Sequence, residues 1–265
     1  MDHKELKEIL EEKYTTYAHP DFVETDPISI PRSYSRKEDI EITAFWTAML
    51  TWGLRKTIIN KAKQLFNLMD KAPYDFIMNH KDKDLKVFDH FVHRTFQPPD
   101  TLYFIQFFKD HYTRHNSLED AFTLNGSTNM KDVFIHFHDY FFSAGPFLQR
   151  TKKHLASPIR NSTCKRLCMF LRWMVRTDRE GIDLNLWKKI KPADLMIPYD
   201  VHVDRVGRAF GMIERKQKDW KTVEELTNTL RSFDYEDPVK YDYALFGMGL
   251  MERDEVFKMI GKKNS

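Results

Sequence analysis

The sequence predicts an all-α protein. Apolar residues return at i, i+3, i+4 and i+7 along the 265-residue chain, and no stretch alternates polar with apolar residues as a half-buried strand would. Proline, glycine and small polar residues cluster where these periods stop, as helix ends require. A hydrophobic content of 42%, with 14% aromatics, is ample for a buried core.

From Lys4 to Tyr17 a charged helix carries Leu6, Ile9, Leu10 and Tyr14 on one side, an arm laid on the body. Residues 20–35 hold Pro20, Pro27 and Pro31 and read as a loop or extended connection. Ser35 is the expected cap of the next helix, whose inner face is Phe45, Ala48, Met49 and Trp52 and whose end is Gly53. Ile58, Ile59, Ala62 and Leu65 mark its hairpin partner. Residues 72–95 are polar and predict one or two small helices. After Pro98-Pro99, Phe104, Phe107, Phe108 and His111 form a core face, and Phe134, Phe137, Tyr140 and Phe141 another after the Asn125-Gly126-Ser127 turn. Gly145-Pro146 ends that helix, and a short basic one runs from Phe147 to Leu155.

Ser157 to Leu167 reads as a hairpin entering a helix capped by Asn161 or Ser162, with Leu167, Phe170, Leu171 and Met174 facing inward. Trp173 could line either a pocket or the core, and aromatics at helical spacing usually belong to the core. Lys165 falls in the first turn of this helix. There the helix dipole disfavours an ammonium, so a partly buried site would expose a neutral amine, the state a nucleophilic lysine requires. The stretch from Ile197 to Gly211 has the punctuation of a complete short helix. Pro198 favours an extended entry, Asp200 is the N-cap, Val203, Val206, Gly207 and Phe210 share one face, and Gly211 closes the end. Capping alone would explain Asp200.

Charge is unevenly spread. Between Arg150 and Lys191 there are twelve basic and three acidic residues, which leaves the remainder of the chain net acidic by six. A basic segment on a mildly acidic body suits a polyanion partner. Cys164 and Cys168, four residues apart, offer half a metal site at most and cannot supply the thiolates of an iron-sulfur cluster, so two buried core residues are expected and no cofactor is implied. The charged N-terminus lacks a signal-peptide apolar region, and no run of about 18 apolar residues occurs. A cytoplasmic protein without a membrane segment is the expectation.

The segment Pro198-Tyr-Asp200-Val-His202-Val-Asp-Arg-Val resembles the motif by which helix-hairpin-helix DNA glycosylases set a catalytic aspartate at a helix N-terminus. Trp220-Lys-Thr-Val-Glu-Glu-Leu and Asp237-Pro-Val-Lys-Tyr-Asp-Tyr-Ala-Leu-Phe-Gly-Met-Gly-Leu are similar to the next two helices of that superfamily, nearest to its archaeal 8-oxoguanine branch. The chain looks like a member of an uncharacterised bacterial family distantly related to those enzymes, with the likeness concentrated in residues 145–255. The resemblance implies a two-layer helical architecture. Residues 1–35 would be the arm and connection, 36–255 a glycosylase-like domain of two lobes with the motifs in about 145–255, and 256–265 a basic tail.

The same resemblance implies a function, base-excision repair of a damaged purine, oxidised purines included, in duplex DNA by a monomeric glycosylase with lyase activity. Lys165 matches the family's nucleophile and Asp200 its catalytic carboxylate. Arg150, Lys152, Lys153, Arg160 and Arg166, with Asn161 and Ser162 of the hairpin and His202 of the following helix, are the candidate DNA contacts. The sequence departs from the family in the hairpin, where Asn161-Ser162 stand in place of glycines, and in lacking a cysteine cluster after the last helix. Two other classes fit the same residues. One is a DNA- or RNA-binding protein that keeps the architecture without the lysine chemistry; the other is a purely structural helical protein.

Overall fold

The computed structural model describes residues 2–178 and 180–252, and Arg179 and the expected basic tail at 256–265 lie outside them. Among the described residues there are twelve α-helices and no strand. They are α1 (His3–Tyr17), α2 (Asp21–Thr25), α3 (Lys37–Leu50), α4 (Arg55–Asn67), α5 (Pro73–Asn79), α6 (Pro98–Arg114), α7 (Glu119–Thr123), α8 (Met130–Phe141), α9 (Lys165–Val175), α10 (Val201–Ala209), α11 (Trp220–Phe233) and α12 (Tyr241–Met251). Short 3₁₀ turns link several of them, and most of these begin at a proline, whose fixed φ suits the first helical position.

Helix α3 runs through the core and is buried on nearly every side. The Phe45 ring meets those of Phe104 and Phe108 on α6, Phe137 and Phe141 on α8, and Phe170 on α9 at 5.3–6.0 Å between centroids, which joins four helices around one side chain. Polar side chains on a helix so enclosed depend on the protein for partners. Trp46 Nε1 and Thr47 Oγ1 have none among the described residues, whereas Glu41 is completely paired. One carboxylate oxygen accepts from Ser117 Oγ (2.5 Å) and Trp187 Nε1 (2.8 Å), and the other from Tyr112 Oη (2.8 Å) and the Leu118 amide (2.9 Å). A second such knot is Asp100, which accepts from Thr151 Oγ1 (2.7 Å) and bonds His154 Nε2 (3.1 Å).

The other centre is α12, which lies between α1 and α10. Glycines allow the close approach. A Cβ on Gly249 would stand 2.8 Å from His202 Cβ and 2.9 Å from its carbonyl oxygen, and one on Gly247 would enter the Tyr17 ring. At the two ends of α12, α1 is tied down by Lys13–Glu252 (2.8 Å), Lys240–Glu11 (3.0 Å) and Tyr241 Oη–Glu11 (2.6 Å). One hydrophobic cluster extends from Leu6 on α1 to Met248 on α12.

Several local expectations are corrected. Residues 20–35 are not a plain loop, because Asp26 caps a 3₁₀ turn through the Ile28 amide (3.0 Å) and α2 precedes it. Trp52 is not on the buried face of α3. That helix ends at Leu50, so Trp52 falls in the following loop and is 47% exposed. The cap of α3 is Arg36 rather than Ser35, and α7 was not anticipated. Neither Asn161 nor Ser162 caps α9. The chain turns once more first, with Asn161 (φ +55°) and Cys164 (φ +49°) both left-handed, and Cys164 takes the N-cap position.

Candidate functional site

Lys165 is the first residue of α9, and its neighbours on that helix face, Met169, Arg172 and Trp173, follow at i+4, i+7 and i+8. Asp200 is the N-cap of α10. Its Oδ1 accepts from the amides of His202 (2.8 Å) and Val203 (3.0 Å), and this orients the other oxygen. Oδ2 lies 3.2 Å from Lys165 Nζ. The helix that carries Asp200 ends as the residues anticipated: Gly211 is left-handed (φ +71°), and the Met212 amide bonds back to the Gly207 carbonyl (2.8 Å) in a Schellman arrangement.

The pair opens onto a cavity of about 480 Å³, within the roughly 300–1,000 Å³ typical of small-molecule sites. Its walls come from five parts of the chain: Asp26 and Pro27; the loop and helix start from Thr51 to Ile58; the Lys165 face of α9; Pro198 to His202; and Asp242, Phe246 and Leu250 of α12. The lysine side chain is 35% exposed and the aspartate side chain 10%, so the amine is accessible while the carboxylate is nearly enclosed.

The floor carries more charge. Asp242 is bonded to the Arg172 guanidinium. Burial pushes the Asp242 carboxyl up to about 6 against the pull of Arg172, and the nearby Asp200 charge adds to the rise. Burial likewise raises Asp26, with its backbone bond to Ile28 and the Arg172 and Arg55 charges opposing. Arg172 also lies 3.4 Å from Asp183, which with Asp237 holds the fully buried Arg176.

His202 bonds the Gly249 carbonyl through Nδ1 (2.9 Å) and stands edge-on to Phe246, so its ring braces α10 against α12 beside the cavity; only its backbone touches Asp200. The basic residues divide. Arg150 is engaged by Gln97 Oε1 and the Thr95 carbonyl (both 2.8 Å), and Arg166 by the carbonyls of Met49 (2.5 Å) and Lys153 (3.4 Å). Arg172 and Arg176 are interior, which breaks the basic segment as a continuous surface. Lys153, Arg160 and Asn161 are exposed, Lys152 is half-buried with its ammonium over the Phe147 ring (5.2 Å), and Ser162 Oγ accepts from the Cys164 amide (3.1 Å). Both cysteines are buried, and burial drives the Cys164 thiol up to about 12.

Trp173 satisfies both alternatives, being wholly buried and part of the cavity wall. Asp26, Met169, Arg172, Asp242 and Phe246 were not identified from the sequence. Two signals were present: the helical spacing from Lys165, and a lone acid, Asp242, inside the apolar run from Tyr241 to Met251.

The molecule is thus an all-helical protein with an amine–carboxylate pair set at two helix N-termini on the wall of a cavity. The chain belongs to the DUF2400 family, described as proteins of unknown function, whose model matches residues 26–251. No curated protein and no solved structure matches the chain. None of the described helices is long and apolar enough to cross a membrane.

Proposed function

We propose that this protein is a DNA base-excision enzyme, a glycosylase with lyase activity that removes a damaged purine. The observation that carries the reading is the 3.2 Å approach of Lys165 Nζ to Asp200 Oδ2 at the edge of a cavity of base-accommodating size. A glycosidic bond inside a duplex is out of reach, so the nucleotide must be extruded into a pocket. The amine of Lys165 attacks the sugar C1′ as the bond from C1′ to the base nitrogen breaks. Asp200 Oδ2 takes the proton that the amine loses and stabilises positive charge on the sugar. The departing base takes a proton from solvent water, and Asp200 passes the amine's proton to the ring oxygen as the sugar opens to a Schiff base on Lys165. Asp200 suits this role because its cap bonds occupy Oδ1 and leave Oδ2 for chemistry.

Three features support a nucleic-acid partner. Helix α9 starts without a side-chain cap, and while the Leu167 amide bonds the Cys164 carbonyl (2.9 Å), the amides of Lys165 and Arg166 are left for a phosphate. Asn161 supplies the left-handed turn for which glycine is usual. Lys153 and Arg160 are exposed beside that turn.

The test is covalent trapping. Duplexes carrying a panel of damaged purines, incubated with the protein and borohydride, should yield a stable adduct, and Lys165→Gln should abolish it without unfolding the protein. Failure of the wild-type protein to trap any member, with DNA binding intact, would leave a binding protein of the same architecture. Undiminished trapping by Lys165→Gln would remove the lysine from the mechanism.

A further inference from the structure

We infer that the outer face of α4 and the loop before it form a second contact surface for duplex DNA, continuous with the mouth of the cavity, in which Lys56 and Lys63 meet phosphates and Leu54 lies against the duplex. Lys56, Asn60, Lys63 and Asn67 fall at i, i+4, i+7 and i+11 and are all exposed, while Ile58, Ala62, Leu65 and Phe66 bury the other side. The helix also carries Arg55 and Lys61 and has no acidic residue. Among the twelve described helices only α9, which bears Lys165, shares that lack of acids, and both helices line the cavity.

A basic helix face by itself is usually only solvated. Here it adjoins an apolar tip. Leu54 immediately precedes α4, lines the cavity and is 78% exposed, the most exposed large apolar side chain among the described residues. The loop leading to it is held from two sides, since His93 Nε2 bonds the Leu50 carbonyl (3.0 Å) and Arg166 Nη1 donates to the Met49 carbonyl (2.5 Å). Arg166 also reaches the Lys153 carbonyl (3.4 Å), which sets this loop beside the exposed cations before α9. A leucine presented to water next to a braced loop, between two groups of cations, matches a partner with phosphates outside and apolar base surfaces within. Lys56 and Lys63 stand about 10 Å apart along the helix axis, roughly the rise of three base pairs. Neither has an ion-pair or hydrogen-bond partner among the described residues, so both ammonium groups are open to phosphate.

That the partner is DNA rests on the function proposed above, and the test reads binding rather than catalysis. The probe is a fluorescent duplex with a tetrahydrofuran abasic site, which cannot form a Schiff base. It is titrated at several salt concentrations with wild type, Lys56→Ala/Lys63→Ala, Leu54→Glu and a control of equal charge, Lys7→Ala/Lys131→Ala, taken from exposed positions on α1 and α8. Lys56→Ala/Lys63→Ala should lower the slope of log affinity against log salt by about 1.8, two phosphate contacts at about 0.9 each, and the control should leave it unchanged. Leu54→Glu should weaken binding tenfold or more. A carboxylate beside a helix N-terminus suits the fold, so its melting temperature should not fall, and the lost affinity reports contact with DNA. A wild-type slope kept by Lys56→Ala/Lys63→Ala, an equal drop in the control, or undiminished affinity of Leu54→Glu overturns the inference, and borohydride trapping by wild type would then still uphold the proposed function. Wild-type binding that does not respond to salt overturns both.

Discussion

Glu41 in the core and Asp200 at the cavity are both enclosed carboxylates that accept backbone amides, yet they are built for opposite ends. Glu41 receives two donors on each oxygen and meets no cation among the described residues, so its bonding capacity is filled by the protein and burial raises its pKa. Asp200 receives both amides on one oxygen and turns the other toward a lysine in a cavity open to solvent. The difference separates a carboxylate that fixes structure from one with a lone pair to offer a reacting group. Burial alone does not distinguish them; the count of donors on each oxygen does.

The largest effect should come from breaking the closed member. Glu41→Ala strands the donors of Tyr112, Ser117, Leu118 and Trp187 in the core, and at about 1–3 kcal/mol for each unsatisfied group, partly relieved by relaxation, the loss of stability should be about 3 kcal/mol or more. Urea unfolding measures it. A loss under about 1 kcal/mol would mean that the knot is not what holds α3 to the segment from Tyr112 to Leu118.

Asp200→Asn should do the reverse. Asparagine caps a helix about as well as aspartate, so stability should change by less than about 0.5 kcal/mol. Base excision, measured in single turnover, should slow by roughly two orders of magnitude or more, the scale of losing one preorganised electrostatic group. An undiminished rate would make Asp200 only the start of a helix.

How much of this contrast was legible in the sequence follows from which bonds are local. The Asp200 cap and the Gly211 closure are made within a few residues, and Lys165 sits at a helix start that the apolar period of α9 defines. Asp26, Arg172 and Asp242 escaped because their placement depends on helices far apart in the chain meeting at one floor. Arg150 and Arg166 read as surface cations for the same reason: their partners, Gln97, Thr95 and Met49, lie some 50 to 120 residues upstream. Trp52 was misplaced by a boundary error of two residues, enough to move it from the core into a loop.

Asp242 sharpens the comparison through pH. Its carboxyl is raised to about 6, so the fold favours the neutral form. That contribution is fully present below the ordinary aspartate value and is lost as pH rises through about 6. Wild type should therefore lose on the order of 2 kcal/mol relative to Asp242→Asn between pH 4 and pH 7. Thermal unfolding of the two proteins across this window gives the difference directly, and it cancels the other raised carboxylates, which both proteins share. A flat difference would mean that Arg172 holds Asp242 ionised throughout.

The smallest effects belong to the exposed cations, and they divide the basic residues by the same criterion of engaged against open. Lys153 and Arg160 are exposed and Lys152 half-buried near the turn before α9, whereas the guanidinium groups of Arg150 and Arg166 are held by protein oxygens. A cation that meets a phosphate releases a condensed counterion, so each of Lys152→Ala, Lys153→Ala and Arg160→Ala should weaken binding to duplex DNA a few-fold at moderate salt, equally for all sequences. Each should also lower the slope of log affinity against log salt by about 0.9. Arg150→Ala and Arg166→Ala should lower thermal stability instead and leave the slope of the folded fraction unchanged, because their charges already face acceptors within the chain. Titration of one fluorescent duplex at several salt concentrations separates the two groups. A wild-type affinity that does not vary with salt would argue against a nucleic-acid partner altogether, and equal slopes for Arg150→Ala and Arg160→Ala would mean that engagement by the protein does not decide which cations meet the phosphates.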